Sequence, residues 1–406
     1  MLILQYGNLT MCERTLTNFS CESACNRNIS AEDENARSPH LTRLLHKERD
    51  IEMFSRTAMV LCAALVAAPA FGAPFTESLK KGTPEIKSIS TLAFGPEGLL
   101  FIGDTTAAAV VAIDTGDSKQ GGAATVDVEK IDEKIGAMLG TTSKDVRIND
   151  VKVNPASGNV YIAVARGTGN SAAPVLVKLD RAGKLSEVSL KDIPFASVSI
   201  ANVNDKRRGE SITGLAFVDG KLIVAGLSNE EFASKLRVFT FPFKEADKGV
   251  SVEIYHGAHG KFETASPVRT FTTYKIAGES HILAAYTCTP LVKFPVEKLK
   301  TGEKVQGTTI AELGNGNQPL DMVIYTKGGK DFILIANSKR GVMKVNTDEI
   351  QTVEPIVKKT GVAGLKYETV ADLKGVMQLD KLDNERALIL VRKDDGQQNL
   401  QTIQLP

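Results

Sequence analysis

The sequence predicts an all-β fold, a six-bladed β-propeller of four-stranded antiparallel blades, and three observations support it. A pattern of two alternating strands joined by a turn recurs six times between Ser90 and the C-terminus. The copies follow one another at intervals of about 56 residues, slightly more than the roughly 40 to 50 residues of a propeller blade. A third strand, and in most copies a fourth, follows each pair.

The repeated unit is clearest in its first three copies. "STLAFGPEGLLFIGD" from Ser90 has alternating apolar residues, a turn and a second apolar strand, and "NDVKVNPASGNVYIAV" from Asn149 repeats this plan. "TGLAFVDGKLIVAG" from Thr213 joins its strands through Asp219–Gly220, a dipeptide preferred in tight hairpin turns. Weaker copies begin at Arg269, Leu320 and Lys374.

The outer strands of the blades are less regular. Third strands are predicted at Val110–Asp114, Val175–Asp180, Leu236–Phe241, Leu291–Val296 and Gly341–Asn346. Fourth strands are predicted at Thr125–Lys130 and Val250–Tyr255, among others. The last unit has only Leu400–Leu405 after its central pair, so we expect the N-terminal segment Glu85–Ile89 to supply the missing strand and close the ring. A seven-bladed ring with a hidden repeat is the second choice.

One connection predicts a helix. Within residues 129–145, Ile131, Ile135, Met138 and Leu139 recur at helical spacing. We expect this apolar stripe to pack on the propeller rather than to bind a partner.

The N-terminal region predicts export. Residues 53–72 have a short basic start, an apolar run of about a dozen residues, well short of the roughly 20 that span a bilayer, and small residues before a cleavage site. We expect a mature N-terminus at Ala73, with Phe71 as the alternative. Residues 1–52 are polar and lack periodicity, which indicates a disordered extension or a start codon assigned too far upstream of Met53. A zinc or redox role for their cysteines is less favoured.

The mature chain, residues 73–406, is therefore predicted to be a single propeller domain that is periplasmic or secreted. The full sequence has 49 basic and 48 acidic residues, a net charge of +1, and this balance excludes the strong field that nucleic acid or an anionic membrane would require. No further apolar stretch is long enough to span a membrane. Cys288 is the single cysteine of the mature chain, so no intrachain disulfide is possible. We expect a monomer.

The blade patterns "LAFGPEGLLFIGD" and "VKVNPASGNVYIAV" resemble secreted bacterial propellers of the NHL and YVTN type. The resemblance extends along the mature chain and implies the architecture. Such propellers include binding proteins, lyases and hydrolases, so the resemblance leaves the chemistry open. The chain contains no Trp, which argues against a WD40 propeller.

Meander topology predicts where ligands bind. The start of each first strand, the end of each second strand and the loops between blades meet at one face of the ring, called here the upper face. Polar side chains occupy several of these places, and we predict that they bind a ligand. The predicted set on the strands is Asn149, Asp150, Arg269, Asp321 and Asn337.

A loop between blades adds two histidines to this predicted set. In "YHGAHGKFETASPVR", His256 and His259 are three residues apart, each is followed by glycine, and Glu263 is nearby. Neutral imidazole is a common ligand of zinc, copper and iron, so these residues are candidates for a divalent metal site. A pair of ordinary surface histidines is the alternative. Cys288 has no sequence-adjacent base and is predicted to be a small buried residue rather than a nucleophile.

These observations leave two functional classes. The first is an exported scaffold that binds a small molecule, peptide, glycan or protein partner at the upper face of the central channel. The alternative is a metal-assisted hydrolase or lyase in which His256, His259, Asp321 and Asp150 serve as ligands or acid-base groups. Calcium-dependent propeller lactonases are a comparison, but the acidic residue expected in the first blade is missing. The sequence does not decide whether the protein is an enzyme, and it indicates no cofactor beyond a divalent metal.

Overall fold

The computed structural model describes residues 74–406, except residues 123, 245–246 and 289 and the side chain of Asn170. The predictions for residues 1–52, for the signal at 53–72 and for the N-terminus at residue 73 lie outside the described residues.

Strands dominate the described chain. The first half contains β1 (Lys80–Gly82), β2 (Thr91–Phe94), β3 (Leu99–Asp104), β4 (Ala109–Asp114), β5 (Asp127–Val128), β6 (Val146–Val153), β7 (Val160–Arg166), β8 (Ala173–Leu179), β9 (Leu185–Glu187), β10 (Ile193–Ser199), β11 (Gly214–Val218), β12 (Lys221–Leu227), β13 (Ser234–Thr240) and β14 (Val250–His256).

The second half contains β15 (Lys261–Glu263), β16 (Val268–Ile276), β17 (Glu279–Tyr286), β18 (Pro290–Pro295), β19 (Lys304–Gln306), β20 (Thr308–Leu313), β21 (Pro319–Lys327), β22 (Lys330–Asn337), β23 (Gly341–Asn346), β24 (Val362–Gly364), β25 (Tyr367–Val370), β26 (Val376–Lys381), β27 (Arg386–Arg392) and β28 (Gln398–Gln404). The α-helix is α1 (Ile131–Met138), and 3-10 turns lie at Phe75–Ser78, Pro96–Gly98, Ser143–Asp145, Gly169–Ser171, Asp205–Glu210 and Val296–Lys298.

In the described residues the strands form six sheets arranged as the blades of a ring. Numbered by their first strands, the blades from inner to outer strand are blade 1 (β2, β3, β4, β10), blade 2 (β6 to β9), blade 3 (β11 to β14), blade 4 (β16, β17, β18, β20), blade 5 (β21, β22, β23, β25) and blade 6 (β26, β27, β28, β5). Short strands β1, β15, β19 and β24 extend some outer edges. The prediction of a six-bladed β-propeller is confirmed.

The blades do not follow one another around the ring in chain order. Six apolar clusters each lie between two blades, and together they give the order 1, 3, 4, 5, 6, 2 and back to 1. Contacts between the inner strands give the same order. Blade 1 therefore lies between blades 2 and 3, and the apolar core is a ring of six interfaces.

Two outer strands are exchanged between distant parts of the chain. β5 pairs with β28 and completes blade 6, while β10 pairs with β4 and completes blade 1. The side chain and backbone of Thr402 bind the backbone of Val126, which reinforces the short β5 pairing. The sequence prediction placed Thr125–Lys130 in the first blade, and the structure corrects this.

The predicted closing strand Glu85–Ile89 was also wrong. The Lys87 N–H and the Ser88 hydroxyl both donate to Asp104, at 2.6 and 2.7 Å, so this segment is bound to the end of β3. Ile89 is buried between blades 1 and 2. These interactions hold the segment beside blade 1, whereas the backbone near residue 126 forms the ladder that closes blade 6.

Local predictions agree with the structure. Helix α1 buries Ile131 and Ile135 between blades 2 and 6, with Met138 and Leu139 partly buried against the same cluster. Asp219 and Gly220 both have positive φ in the two-residue turn between β11 and β12, as such hairpins require. No helix within the described residues is long and apolar enough to cross a membrane.

Candidate functional site

The six inner strands enclose a central cavity of about 700 Å³. Four residues predicted from the sequence line it, namely Asn149, Asp150, Arg269 and Asp321. Hydroxyl groups of Ser90, Thr91, Thr270 and Thr272 contribute to the same wall. The cavity therefore combines charged, amide and hydroxyl groups where the inner strands meet.

A β-bulge positions the polar side chains at the start of the inner strands. The register shifts just before Asp150, Thr270, Asp321 and Gln378, each in a different blade. A bulge re-aims the residue that follows it. All four of these residues line the channel cavity.

The most strongly charged part of the channel surrounds Lys152. Its Nζ lies 3.4 Å from Asp321 Oδ2 and 3.5 Å from Asp150 Oδ1. In the orientation that satisfies its hydrogen bonds, the Gln378 amide donates to the same two carboxylates at 3.0 and 3.2 Å. Asp380 adds a third carboxylate close enough to affect Lys152. Three carboxylates and one ammonium group leave this cluster with an excess of negative charge.

The same carboxylates connect neighbouring blades. Asp150 accepts a hydrogen bond from the Leu92 N–H at 2.7 Å. Asp321 accepts one from the Leu379 N–H at 3.1 Å, and Asp380 accepts one from the Val153 N–H at 2.7 Å. These bonds, called here the carboxylate latches, join blade 2 to 1, blade 5 to 6 and blade 6 to 2. The cluster thus has a structural role as well as a place in the cavity wall.

Burial governs the ionisation of the cluster. Burial raises the pKa of Asp321 to about 6, although Lys152 opposes this shift, and burial also raises the pKa of Asp380. Burial disfavours the charge on Lys152, but Asp150, Asp321 and Asp380 together raise its pKa above the ordinary value. Lys152 is therefore a permanent cation, and two of the carboxylates would be easier to ionise beside a second cation.

Three further predicted residues have local partners. The Arg269 guanidinium lies 3.0 Å from Glu210 and 3.0 Å from the Thr287 hydroxyl. Asn149 donates to the Ile89 carbonyl at 2.6 Å. Asn337 donates to Asn317 at 2.5 Å and lines a separate cavity of about 430 Å³, so it does not join the channel cluster.

His256 and His259 also lie outside the set of residues that line the channel cavity. His256 ends β14 and is 2% exposed, and its Nδ1 lies 2.9 Å from Glu263 Oε2. His259 Nδ1 lies 2.6 Å from Glu263 Oε1, and the centroids of the two rings are 3.8 Å apart. The metal-ligand set of His256, His259, Asp150 and Asp321 considered from the sequence is thus divided between two places.

The surroundings of the histidine cluster shift the pKa values of His256 and Glu263. Burial lowers the pKa of His256 and so favours its neutral ring, although the carboxylate of Glu263 opposes this shift. Burial disfavours the charge on Glu263, but hydrogen bonds from Ser266, His256 and His259 hold its pKa at about 2. Nearby, burial raises the pKa of Glu312 to about 7, although its Oε1 accepts the Gly257 N–H at 2.5 Å.

Cys288 lies beside the histidines. It occupies the turn between β17 and β18 with a positive φ, and its N–H donates to the Asn317 carbonyl at 2.9 Å. Its sulfur and one ring nitrogen each of His256 and His259 lie within 4.8 Å of one another. The sequence favoured a buried structural cysteine, whereas Cys288 is half-buried among possible ligands.

Sequence reasoning missed Lys152, Gln378 and Asp380 because it considered only strand ends. These residues lie within inner strands, at alternate positions that face the channel. Charged residues at such positions in otherwise apolar strands were the available signal.

No protein-family model and no curated protein matches the chain. Solved structures with some likeness include the hydrazine synthase of Kuenenia stuttgartiensis, at 9% identity, 80% coverage of this chain, 97% of that chain and a TM-score of 0.35. A putative oxidoreductase (glucose dehydrogenase) from Thermus thermophilus has 11% identity, coverages of 80% and 99%, and a TM-score of 0.35. The PQQ-bound aldose sugar dehydrogenase of Streptomyces coelicolor has 10% identity, coverages of 80% and 96%, and a TM-score of 0.31. At these TM-scores the likenesses carry no argument about this chain.

Proposed function

We propose that the mature chain is an exported β-propeller that binds a small, positively charged ligand in its central channel. The observation that carries this proposal is the cavity of about 700 Å³ whose wall holds Asp150, Asp321 and Asp380 around one Lys152. An amine would add the cation that the carboxylates lack, and charge-assisted hydrogen bonds in a partly enclosed site are stronger than neutral ones. Thr270 and Thr272 also line the cavity and can supply further polar contacts.

The latches support this proposal because they fix the carboxylates before any ligand arrives. Each of the three aspartates accepts a backbone N–H from a neighbouring blade, so its side chain has little freedom to lose. A pre-organised site loses less entropy when it binds a ligand. An anionic ligand would face net repulsion from the same groups.

A matched set of probes tests the charge preference. Putrescine, glucose and succinate represent a small cation, a neutral polyol and an anion, and their binding is followed by thermal shift and calorimetric titration. We expect putrescine to bind and to raise the melting temperature, and succinate not to. Asp321→Asn should weaken putrescine binding about tenfold or more, because a hydrogen bond to a charged group contributes about 1.5 to 3 kcal/mol. The exposed Asp348→Asn is the matched control and should bind as the wild type does.

Two outcomes would overturn the proposal. Binding of succinate or glucose in preference to putrescine would contradict the inferred charge preference. Failure of putrescine to bind at all would contradict the proposal that the channel binds a cationic ligand.

Export is tested separately by the intact mass of the secreted product. The signal at residues 53–72 predicts a mature N-terminus at Ala73. A secreted product that retains residues 1–52 would contradict a translation start at Met53 and cleavage before Ala73, and absence of the protein from the secreted fraction would contradict export.

A further inference from the structure

A second potential site lies at the junction of blades 3 and 4, outside the channel. His256 and His259 come from the end of β14 and the turn after it, in blade 3, and Cys288 comes from the β17–β18 turn in blade 4. One ligand atom from each of these three residues lies within 4.8 Å of the other two. Two imidazoles and a thiol at this separation are close enough to contact one ion after small side-chain adjustments.

Hydrogen bonds to Glu263 determine which ring nitrogens of the two histidines are available to bind a metal. Its two carboxylate oxygens accept from Nδ1 of His256 and Nδ1 of His259, and Ser266 donates to the same carboxylate. With the Nδ1 protons held in this way, each Nε2 carries a lone pair. A carboxylate behind a histidine is the usual arrangement that orients imidazole ligands and increases their basicity.

The Nε2 atom of His256 gives independent support. His256 is 2% exposed, and its Nε2 is buried with no hydrogen-bond partner among the residues that the structure describes. Buried polar atoms are nearly always satisfied, so an orphaned one calls for an explanation such as a bound ion. A metal ion beside Nε2 would satisfy that atom.

We propose that His256, His259 and Cys288 bind one thiophilic transition-metal ion of the Zn²⁺ class, with Glu263 orienting both histidines. Binding forms two metal–nitrogen bonds and one metal–sulfur bond, and the proton of the Cys288 thiol passes to solvent. Three protein ligands leave a fourth position of a tetrahedral ion for water. The ion would join blades 3 and 4, a junction at which the described inner strands show no carboxylate latch.

Metal content is the first test. The mature protein is purified without chelators, and its zinc is measured by elemental analysis before and after dialysis against Zn²⁺. We expect one equivalent in the wild type. Cys288→Ser and His259→Gln should lose it, and Glu263→Gln should weaken Zn²⁺ binding about 10- to 100-fold, the usual effect of removing an orienting partner. His281→Gln is the control, because His281 lies in β17 and its Nδ1 contacts the Glu279 carbonyl.

Thiol reactivity provides a test that does not depend on any variant. Cys288 is the single thiol of residues 73–406, so a thiol reagent reports on it alone. Saturating Zn²⁺ should slow the reaction by about tenfold or more, since the metal-bound thiolate is no longer free to attack. Unchanged reactivity in Zn²⁺ would overturn the proposal. The same conclusion follows if His281→Gln loses as much zinc as His259→Gln, or if Cys288→Ser keeps one equivalent.

Discussion

The two halves of the ring are held together differently. Blades 1, 2 and 6, the interlocked half, exchange outer strands between segments that are distant in the chain, and they supply every N–H donor of the carboxylate latches. Blades 3, 4 and 5, the consecutive half, follow one another in sequence and in space. They contribute the histidines and Cys288 at their first junction.

The difference indicates which part of the fold depends on contacts between residues that are far apart in the sequence. In the interlocked half, strands from opposite ends of the chain must meet before the ring closes, and buried charges then join neighbouring blades. In the consecutive half, adjacent blades pack through apolar clusters and through side-chain hydrogen bonds such as that of the Tyr274 hydroxyl to Asp331 between blades 4 and 5. We infer that a cation bound in the channel would contact the interlocked half together with Asp321 of blade 5, whereas a metal would bind within the consecutive half at the junction of blades 3 and 4.

The largest expected effect comes from removing the cation of the interlocked half. Lys152→Met should destabilise the protein by about 3 to 5 kcal/mol at neutral pH, because it leaves buried carboxylates without their counter-ion. Urea unfolding measures this. The loss should shrink towards acidic pH, where the carboxylates take up protons. Lys330→Met, which removes an exposed pair with Asp348, should change stability by no more than about 0.5 kcal/mol. Equal effects of the two variants would contradict the account of the cluster.

A pH-dependent effect is expected in the consecutive half. The folded-state pKa of Glu312, about 7, lies above its ordinary value of 4.5, so its contribution to stability is fully present below pH 4.5 and is lost as pH rises through 7. Glu312→Gln has no such ionisation. Between pH 4.5 and pH 8 the variant should therefore gain up to about 3 kcal/mol relative to the wild type, at 1.36 kcal/mol per pKa unit.

Metal-free protein should be used for that comparison, with unfolding followed in urea. A stability difference between wild type and Glu312→Gln that stays constant from pH 4.5 to pH 8 would show that Glu312 does not titrate in this range.

A smaller effect is expected at the closing strand. Thr402→Val removes the hydroxyl that accepts the Val126 N–H at 2.8 Å, and it should cost about 1 to 2 kcal/mol. Thr369→Val is the same substitution in the outer strand of blade 5, where the residue is exposed, and should change stability by less than about 0.5 kcal/mol. If Thr402→Val is as mild as Thr369→Val, this hydrogen bond contributes little to ring closure.

Local features of the fold could be predicted from the sequence, but the ring closure could not. The Asp219–Gly220 hairpin and the helix over Ile131 and Ile135 each depend on residues close together in the chain, and both are present. The pairing of Asp127–Val128 with β28 joins residues more than two hundred positions apart. Nothing in a two-residue strand specifies such a partner, because its backbone groups can pair with any open edge.

The candidate site could likewise be predicted only in part from the sequence. Asp150 and Asp321 could be placed on the upper face because they follow strand starts, which meander topology brings together. Their pairing with Lys152 depends on blades 2 and 5 both facing blade 6, which follows from the unusual blade order. Cys288 lies near the histidines only because two turns of adjacent blades meet. The sequence of neither turn indicates that the other lies beside it.

Hydrogen exchange with and without putrescine tests the proposed channel site most directly. The N–H groups of Leu92, Val153 and Leu379 donate to the three aspartates, so exchange measured by mass spectrometry should report a ligand at the cluster. We expect putrescine to slow exchange in β2, β6 and β26 of the interlocked half, while peptides from β14 and β17 of the consecutive half are unchanged. Protection confined to the consecutive half, or none at saturating putrescine, would contradict a cation site in the channel.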